Sequence, residues 1–336
     1  MGEFLLTVGT NSSFETDLRS YSFGGGGLDL VSSLELTGLG TTVNKVIAST
    51  GGVVYIAYAG GGTSLGTAEI DSDGNLSNWE PGSSITTAGE PQSIDVHKDE
   101  NSTKLVVAPG DPNELVLVDV TTAPTVSDKI PLTKLGGGSG KLRKAKFSND
   151  GTQIFALLGR DSVQLISISG SSLTLADTLA VSLDPGLSQL SETEWVVGAQ
   201  PNFDDLAVFS TAGGSLSVKD QRNDLGSGFA SGGVAALSPT EILTAAGIYG
   251  WDGTSLSLIS QHVWSFNLET ILFSSGKAFA ASFDSDNEDE IFLIDSADWS
   301  SVSDSLVVGV SDIAFAGAPG DNFFWTNRAK TIERPL

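Results

Sequence analysis

Few stretches of this chain combine residue types at spacings that do chemistry. Gly62-Thr63-Ser64-Leu65-Gly66 matches the G-x-S-x-G pattern of a serine nucleophile, which needs a strained strand-to-helix turn, an oxyanion hole and a histidine base. Here the segment joins two strand-like runs, and the chain holds only two histidines, His97 and His262. It therefore reads as a connection of small residues. Leu135-Gly136-Gly137-Gly138-Ser139-Gly140-Lys141-Leu142 suggests a phosphate loop, but Leu135 stands where the first glycine belongs and Leu142 where a hydroxyl would hold magnesium. It reads as a link between two structural units.

Oxygen-rich segments are the next candidates. Asp71-Ser72-Asp73-Gly74-Asn75 has a calcium-like alternation, yet its glycine comes too early for a calcium loop and Asp-Gly is what a tight hairpin needs. The run Asp284, Asp286, Asn287, Glu288, Asp289 and Glu290 is denser; it reads as a solvated loop tip, with calcium as its alternative ligand. Neither histidine has a second histidine or a cysteine at ligand spacing, so no metal site and no cofactor are otherwise expected. Trp251, Trp264 and Trp325 either line a surface that binds a ligand such as a glycan or fill the core.

The basic residues cluster. Lys134, Lys141, Arg143, Lys144, Lys146 and Arg160 place six of the 17 basic residues within 27 positions. Strand alternation puts Lys144 and Lys146 on one face, Lys141 and Arg143 on the other. Such a patch is either a solvated face or a docking surface for an acidic partner protein, a second copy of this chain included.

The whole chain carries 41 acidic and 17 basic side chains, a formal charge of −24. That field repels phosphate backbones and anionic lipid, so neither nucleic acid nor a membrane surface is expected as partner. There is no cysteine, hence no disulfide framework and no thiol chemistry. Met1-Gly2-Glu3-Phe4 sets an acid where a signal peptide carries positive charge, and no apolar run is long enough to span a bilayer. Synthesis in the cytoplasm follows as the expectation, with association to a virion as one destination.

What must position these residues is a repeat. Lys141 to Val181 contains four strand-like runs, rich in β-branched and other apolar residues, separated by Asn149-Asp150-Gly151, Arg160-Asp161 and Gly170-Ser171. A four-stranded meander of about 40 residues is the size of a propeller blade. Second strands recur near Val53, Lys104, Gln153, Glu194, Glu241, Lys277 and Asn322, six intervals of about 45 residues. No run shows helical apolar period with caps. The expectation is one all-β domain over residues 1–336: a propeller of seven four-stranded blades, with eight as the alternative count. N- and C-terminal strands would share one blade, with Asp312 to Ala316 innermost, and so close the ring without a free edge.

The turn and strand Ser148-Asn149-Asp150-Gly151-Thr152-Gln153-Ile154-Phe155-Ala156-Leu157 resembles the S-x-D-G-x-x-hydrophobic repeat of lactonase-like and YVTN-type propellers. Ser274-Ser275-Gly276-Lys277 and Leu237-Ser238-Pro239-Thr240 are degenerate echoes. The resemblance implies the fold, and as an activity a hydrolase whose acids, arginine or histidine gather at one channel mouth, with Asp95, His97, Arg143, Glu192 and Asp312 as contributors. The residues alone identify no catalytic set. The first functional expectation is accordingly a non-enzymatic interaction or structural module, for example a head decoration or tail accessory protein of a phage virion. It would dock through Lys141, Arg143, Lys144, Lys146 and Arg160. A lactonase-like hydrolase is the alternative, and glycan binding through Trp251 and Trp264 the second.

Overall fold

The structure is a computed structural model, and it describes residues 3–10, 15–23, 27–39, 45–60, 62–110, 113–132, 135, 142–159, 161–181, 186–198, 206–222, 233–244, 246–261, 270–274, 277–282, 290–295, 302–307 and 310–316. Three strands open the chain: β1 (Phe4–Thr10), β2 (Thr16–Ser22) and β3 (Asp29–Glu35). Blade 2 is β4 (Lys45–Thr50), β5 (Val53–Ala59), β6 (Thr63–Ile70) and β7 (Leu76–Glu80). Blade 3 is β8 (Pro91–Lys98), β9 (Thr103–Pro109), β10 (Glu114–Asp119) and β11 (Thr125–Pro131). Blade 4 is β12 (Leu142–Phe147), β13 (Gln153–Leu158), β14 (Ser162–Ser169) and β15 (Ser172–Ala180). Blade 5 is β16 (Gly186–Gln189), β17 (Glu194–Gly198), β18 (Leu206–Ser210) and β19 (Ser217–Arg222). Blade 6 is β20 (Val234–Ser238), β21 (Glu241–Thr244), β22 (Gly247–Trp251) and β23 (Leu256–Gln261). Blade 7 is β24 (Thr270–Ser274), β25 (Lys277–Ser282), β26 (Glu290–Asp295) and β27 (Val302–Val307).

The last strand, β28 (Val310–Ala316), pairs antiparallel with β1, so blade 1 runs β28-β1-β2-β3. The propeller thus has seven four-stranded blades, the first built from both ends of the chain. Each blade is an antiparallel meander. The strand expected at Asn322 to Thr326 lies outside the described residues.

Local chemistry explains the hairpins. In blade 4 the Ser148 hydroxyl donates to Asp150 Oδ1 at 2.6 Å and accepts the Gln153 amide at 2.9 Å, while Asp150 accepts the Thr152 amide at 3.0 Å. Gly151 sits at φ +70°, and a Cβ there would come within 2.3 Å of the His97 ring of blade 3. Only glycine suits both the left-handed backbone and that close approach.

Side chains bury between blades. Seven apolar clusters each draw residues from two neighbouring blades, which makes the core a ring of interfaces. Middle strands such as β13 are covered on both faces and read as continuous apolar runs; outer strands such as β23 bury Leu256 and expose the rest. Where the two chain ends meet, Phe279 of blade 7 stacks edge-on with Phe23 at 4.7 Å and with Phe315 at 5.3 Å.

A polar latch repeats around the outside. Each outermost strand carries a bulge that shifts its register. In four blades an aspartate facing that shift reaches to the next blade and accepts a leucine amide at the start of its outer strand. The pairs are Asp128 with Leu173 at 2.6 Å, Asp177 with Leu216 at 2.7 Å, Asp220 with Leu256 at 2.7 Å and Asp304 with Leu28 at 2.8 Å. Ser32 does the same for Leu76 at 3.1 Å. The Leu173 amide, followed by that of Lys129, holds the Asp128 carboxyl below its ordinary value. Its contribution to stability is therefore present above the unfolded-state value and is lost as pH falls through the folded one.

Removing one latch isolates its effect. Asp177→Ala leaves the Leu216 amide without its acceptor and is expected to lower unfolding free energy by about 1–3 kcal/mol. Asp177→Asn, which keeps an acceptor oxygen, should recover most of that. Urea midpoints measure both, and an alanine variant as stable as the wild type would refute the latch.

Candidate active site

The seven innermost strands surround a central channel with a cavity of about 100 Å³. Its polar side is made by β8, β12 and β28, which contribute Gln92, Ser93, Asp95, Lys144, Lys146 and Asp312. A register shift between Leu142 and Lys144 makes Arg143 the extra residue of β12. Beyond it, Ala145 and Phe147 enter the core between blades 3 and 4, while Lys144 and Lys146 line the channel.

Both aspartates are fixed by the neighbouring blade. Asp95 Oδ2 accepts the Phe147 amide at 2.9 Å, and Asp312 Oδ2 accepts the Ile47 amide at 2.9 Å. Ser93 and Ser188 accept the amides of Ala145 at 3.3 Å and Ala236 at 3.0 Å. An acceptor on one inner strand thus serves an N–H on the next, and at two such places the acceptor is a carboxylate.

Their protonation is unusual. Burial pushes the Asp95 carboxyl up to about 7, against the opposing pull of the Lys146 charge and of the Phe147 and Val96 amides. Burial likewise raises Asp312 to about 6, against the Ile47 amide and the charges of Lys144 and Lys146. Lys146 is lowered by burial, while Asp95 and Asp312 hold it back. Asp95 is only 5% exposed, whereas Lys146 and Asp312 keep partial access to the channel. Lys146 lines the cavity and makes no hydrogen bond or close ion pair with a described residue. A carboxyl that titrates near neutrality beside an ammonium can exchange a proton with a bound molecule while the ammonium faces developing negative charge.

The other expected residues go elsewhere. His97 packs beside Phe147, ring centroids 5.8 Å apart, under the Gly151 turn. Arg143 is exposed at the rim, with Nη1 3.5 Å from Gln92 Oε1. Glu192 is exposed in the turn before β17, and its carbonyl accepts from Gln189. Of the hydrolase candidates, then, the structure brings Asp95 and Asp312 to one channel, with lysines in place of arginine and histidine. Of the docking patch, Lys144 and Lys146 face the channel, Arg143 faces solvent, and Lys141 and Arg160 lie outside the described residues. Trp251 is buried in the core between blades 5 and 6, its indole N–H donating to Glu194 at 3.1 Å; Trp264 lies outside the described residues. Ser64 is a buried residue of β6, 3.3 Å from the Ser84 hydroxyl.

The calcium expectation meets two observations. Asp71 spends its oxygens within its own turn, accepting the amides of Asp73 and Asn75 and the Asn75 side chain. Residues 283–289, which hold most of the acidic run, lie outside the described residues. Among the described residues no group of three or more histidine, cysteine or acidic side chains could hold a metal ion. No described helix is long and apolar enough to cross a membrane.

No protein-family model and no curated protein matches the chain. Solved structures do. A protein of Bacteroides uniformis described as a putative 6-phosphogluconolactonase is 16% identical, with a TM-score of 0.65 over 94% of this chain and 100% of its own. A protein of Bacteroides fragilis with the same description is 15% identical, with a TM-score of 0.64 over 94% of this chain and 98% of its own. A protein from Lactobacillus plantarum is 10% identical, with a TM-score of 0.69 over 94% of this chain and 100% of its own. What is shared at these identities is the seven-bladed fold of lactonase-like propellers. The descriptions of the two Bacteroides proteins correct the expectation of a non-enzymatic structural module or virion component, since they favour the lactonase-like alternative.

The channel carboxyls make a stability test. Unfolded, Asp95 loses its proton near 3.8; folded, it keeps it to about 7. The native state therefore binds more protons over that window, and the contribution of Asp95 to stability falls as pH rises through it. Asp95→Asn keeps the acceptor for Phe147 and cannot ionise. Relative to wild type it should gain stability steadily from pH 4 to pH 7, measured by urea unfolding; parallel curves would rule out a buried, proton-holding Asp95.

Proposed function

We propose that this protein is a hydrolase that opens lactones, with its active site in the central channel. The observation that carries this reading is the meeting, in one cavity, of two carboxyls that titrate near neutrality with a lysine whose charge acts on both and which makes no hydrogen bond to a described residue. The two neighbours described as putative 6-phosphogluconolactonases support the same reaction class.

The chemistry balances with water as the only co-substrate. Ionised Asp95 takes a proton from water as its oxygen attacks the lactone carbonyl carbon. The Lys146 ammonium faces the carbonyl oxygen as it becomes an oxyanion. Collapse breaks the ring C–O bond, and the ring oxygen leaves as a hydroxyl after taking a proton from the Asp95 carboxyl. The product is a hydroxy acid, which releases one proton to solvent and becomes the hydroxy-carboxylate. Asp312, on β28, shares the field of the lysines, and its ionisation sets the net charge that faces the substrate. Lys144 adds to that field.

Two substitutions test the roles. Asp95→Asn removes the base and should lower kcat about 10²–10⁴-fold. Lys146→Met removes the oxyanion partner and should cost about 10²–10³-fold. The wild-type rate should rise through about pH 7 as Asp95 ionises. A panel of five- and six-membered lactones, followed by proton release, gives these numbers. No hydrolysis of any member, or turnover unchanged in both variants, would defeat the reading.

A further inference from the structure

We propose that the Asp73-Gly74 link, in the turn between β6 and β7, is a site of spontaneous covalent modification, at which the backbone isomerises to isoaspartate and loosens the seam between blades 1 and 2. The site uses no channel residue, so it stands or falls apart from the hydrolase reading.

The chain has three Asp-Gly dipeptides, Asp73-Gly74, Asp150-Gly151 and Asp252-Gly253. The first two lie in matching turns. Gly74 donates its amide to the Asp71 carbonyl at 3.2 Å and Gly151 donates to the Ser148 carbonyl at 2.8 Å, each three residues back. Both glycines have left-handed backbone, at φ +87° and +70°. Each also lies against an aromatic ring of the preceding blade, Phe4 or His97, so closely that a Cβ would collide with it. With backbone and neighbours matched, the difference lies in the aspartate carboxylate.

Asp150 is held on both oxygens. It accepts the Ser148 hydroxyl at 2.6 Å, the Thr152 amide at 3.0 Å and the Thr152 hydroxyl at 2.9 Å. Asp252 accepts the amides and hydroxyls of Thr254 and Ser255 at 2.7 to 3.0 Å. Against its burial, the Ser148 and Thr152 bonds keep the Asp150 carboxyl below its ordinary value, and the Thr254 and Ser255 bonds lower Asp252 as well. No described residue donates to the carboxylate of Asp73, which is exposed. The cause is one residue type. Where the blade 4 turn has Ser148, a donor, the blade 2 turn has Asp71, which takes the Asp73 and Asn75 amides for itself and cannot donate to a second carboxylate.

Water is the only co-reactant. In its protonated form the Asp73 carboxyl carbon is attacked by the Gly74 amide nitrogen. A C–N bond forms, and the carboxyl hydroxyl leaves with the amide proton as water. Water then opens the five-membered succinimide at either carbonyl. One opening restores aspartate; the other leaves the main chain running through the side-chain carbonyl, with the α-carboxylate as a branch. A carboxylate bound by three or four donors must give up those bonds before it can be attacked, which slows the step at least about tenfold.

The product has one more backbone carbon directly before Gly74. That glycine packs on Phe4, and its carbonyl accepts the buried Ser20 hydroxyl at 2.6 Å. Two residues further on, the Leu76 amide donates to Ser32. All three contacts join blade 2 to blade 1, the blade built from both ends of the chain. Lengthening the turn displaces them together.

Storing the intact protein for weeks at neutral pH and mapping its peptides by electron-transfer fragmentation, which separates aspartyl from isoaspartyl links, gives the yield at all three sites. Isoaspartate at residue 73 should exceed that at 150 and at 252 at least about tenfold. Thr152→Val removes one donor from Asp150 at an exposed position and should raise isoaspartate at 150 several-fold. Aged wild type should unfold at a lower urea midpoint than fresh protein, whereas Asp73→Glu, which would have to close a larger ring, should keep its midpoint. No isoaspartate at 73, equal yields at 73 and 150, or a folded Thr152→Val variant with no change at 150 would overturn the proposal. Should the valine variant fail to fold, the wild-type order of yields still decides. Isoaspartate at 73 with an unchanged midpoint would support the modification site and overturn the loosening of the seam.

Discussion

Backbone amides of both inner and outer strands find side-chain acceptors on the neighbouring blade of this ring. Outside, four aspartates and a serine take leucine amides across the blade boundary. Inside, Asp95, Asp312, Ser93 and Ser188 do the same along the channel. Apolar burial between blades supplies attraction without direction. The amide-to-acid bonds supply direction, because each one fixes how far one sheet slides past the next. Rotation of a blade about its own apolar face would break the inner and outer bonds together.

The same device explains how charge comes to lie at the centre of so acidic a protein. An aspartate recruited as an inner acceptor is carried into a region where water is scarce. The amide it accepts stabilises the ionised form, while desolvation opposes it and wins. The charges of the lysines on β12 then oppose that rise. Placing two carboxyls and two lysines there turns a structural seam into a polar wall capable of proton transfer.

Much of the fold was legible in the chain. The 45-residue recurrence, the Ser148 to Gly151 turn and the apolar middle strands reflect local rules, in which neighbours in sequence are neighbours in space. The latch leaves a trace too: Gly170-Ser171-Ser172-Leu173, Gly213-Gly214-Ser215-Leu216 and Gly253-Thr254-Ser255-Leu256 share one hairpin pattern, each ending in the leucine whose amide is latched. Reading that pattern against the aspartates one blade earlier would have found the contact. Asp95 and Asp312 were identifiable as inner-strand acids, but nothing nearby in sequence marked them as a pair, since 217 positions separate them.

Lys144 and Lys146 show where the chain falls silent. That the two share one face was visible, although the opposite face was read as Lys141 and Arg143; the bulge at Arg143 makes Ala145 and Phe147 the residues that turn to the core. Which face met water was not visible, because an inner strand in a closed ring has a channel where an isolated strand would have solvent. Sequence by itself therefore determined the repeat, the turns, the all-β class and the charge. Tertiary structure alone decided that acids from blades 1 and 3 face lysines from blade 4. It also decided that burial moves those acids toward neutrality. The physical reason is that desolvation and through-space charge depend on what the folded ring brings together, and no local pattern encodes them.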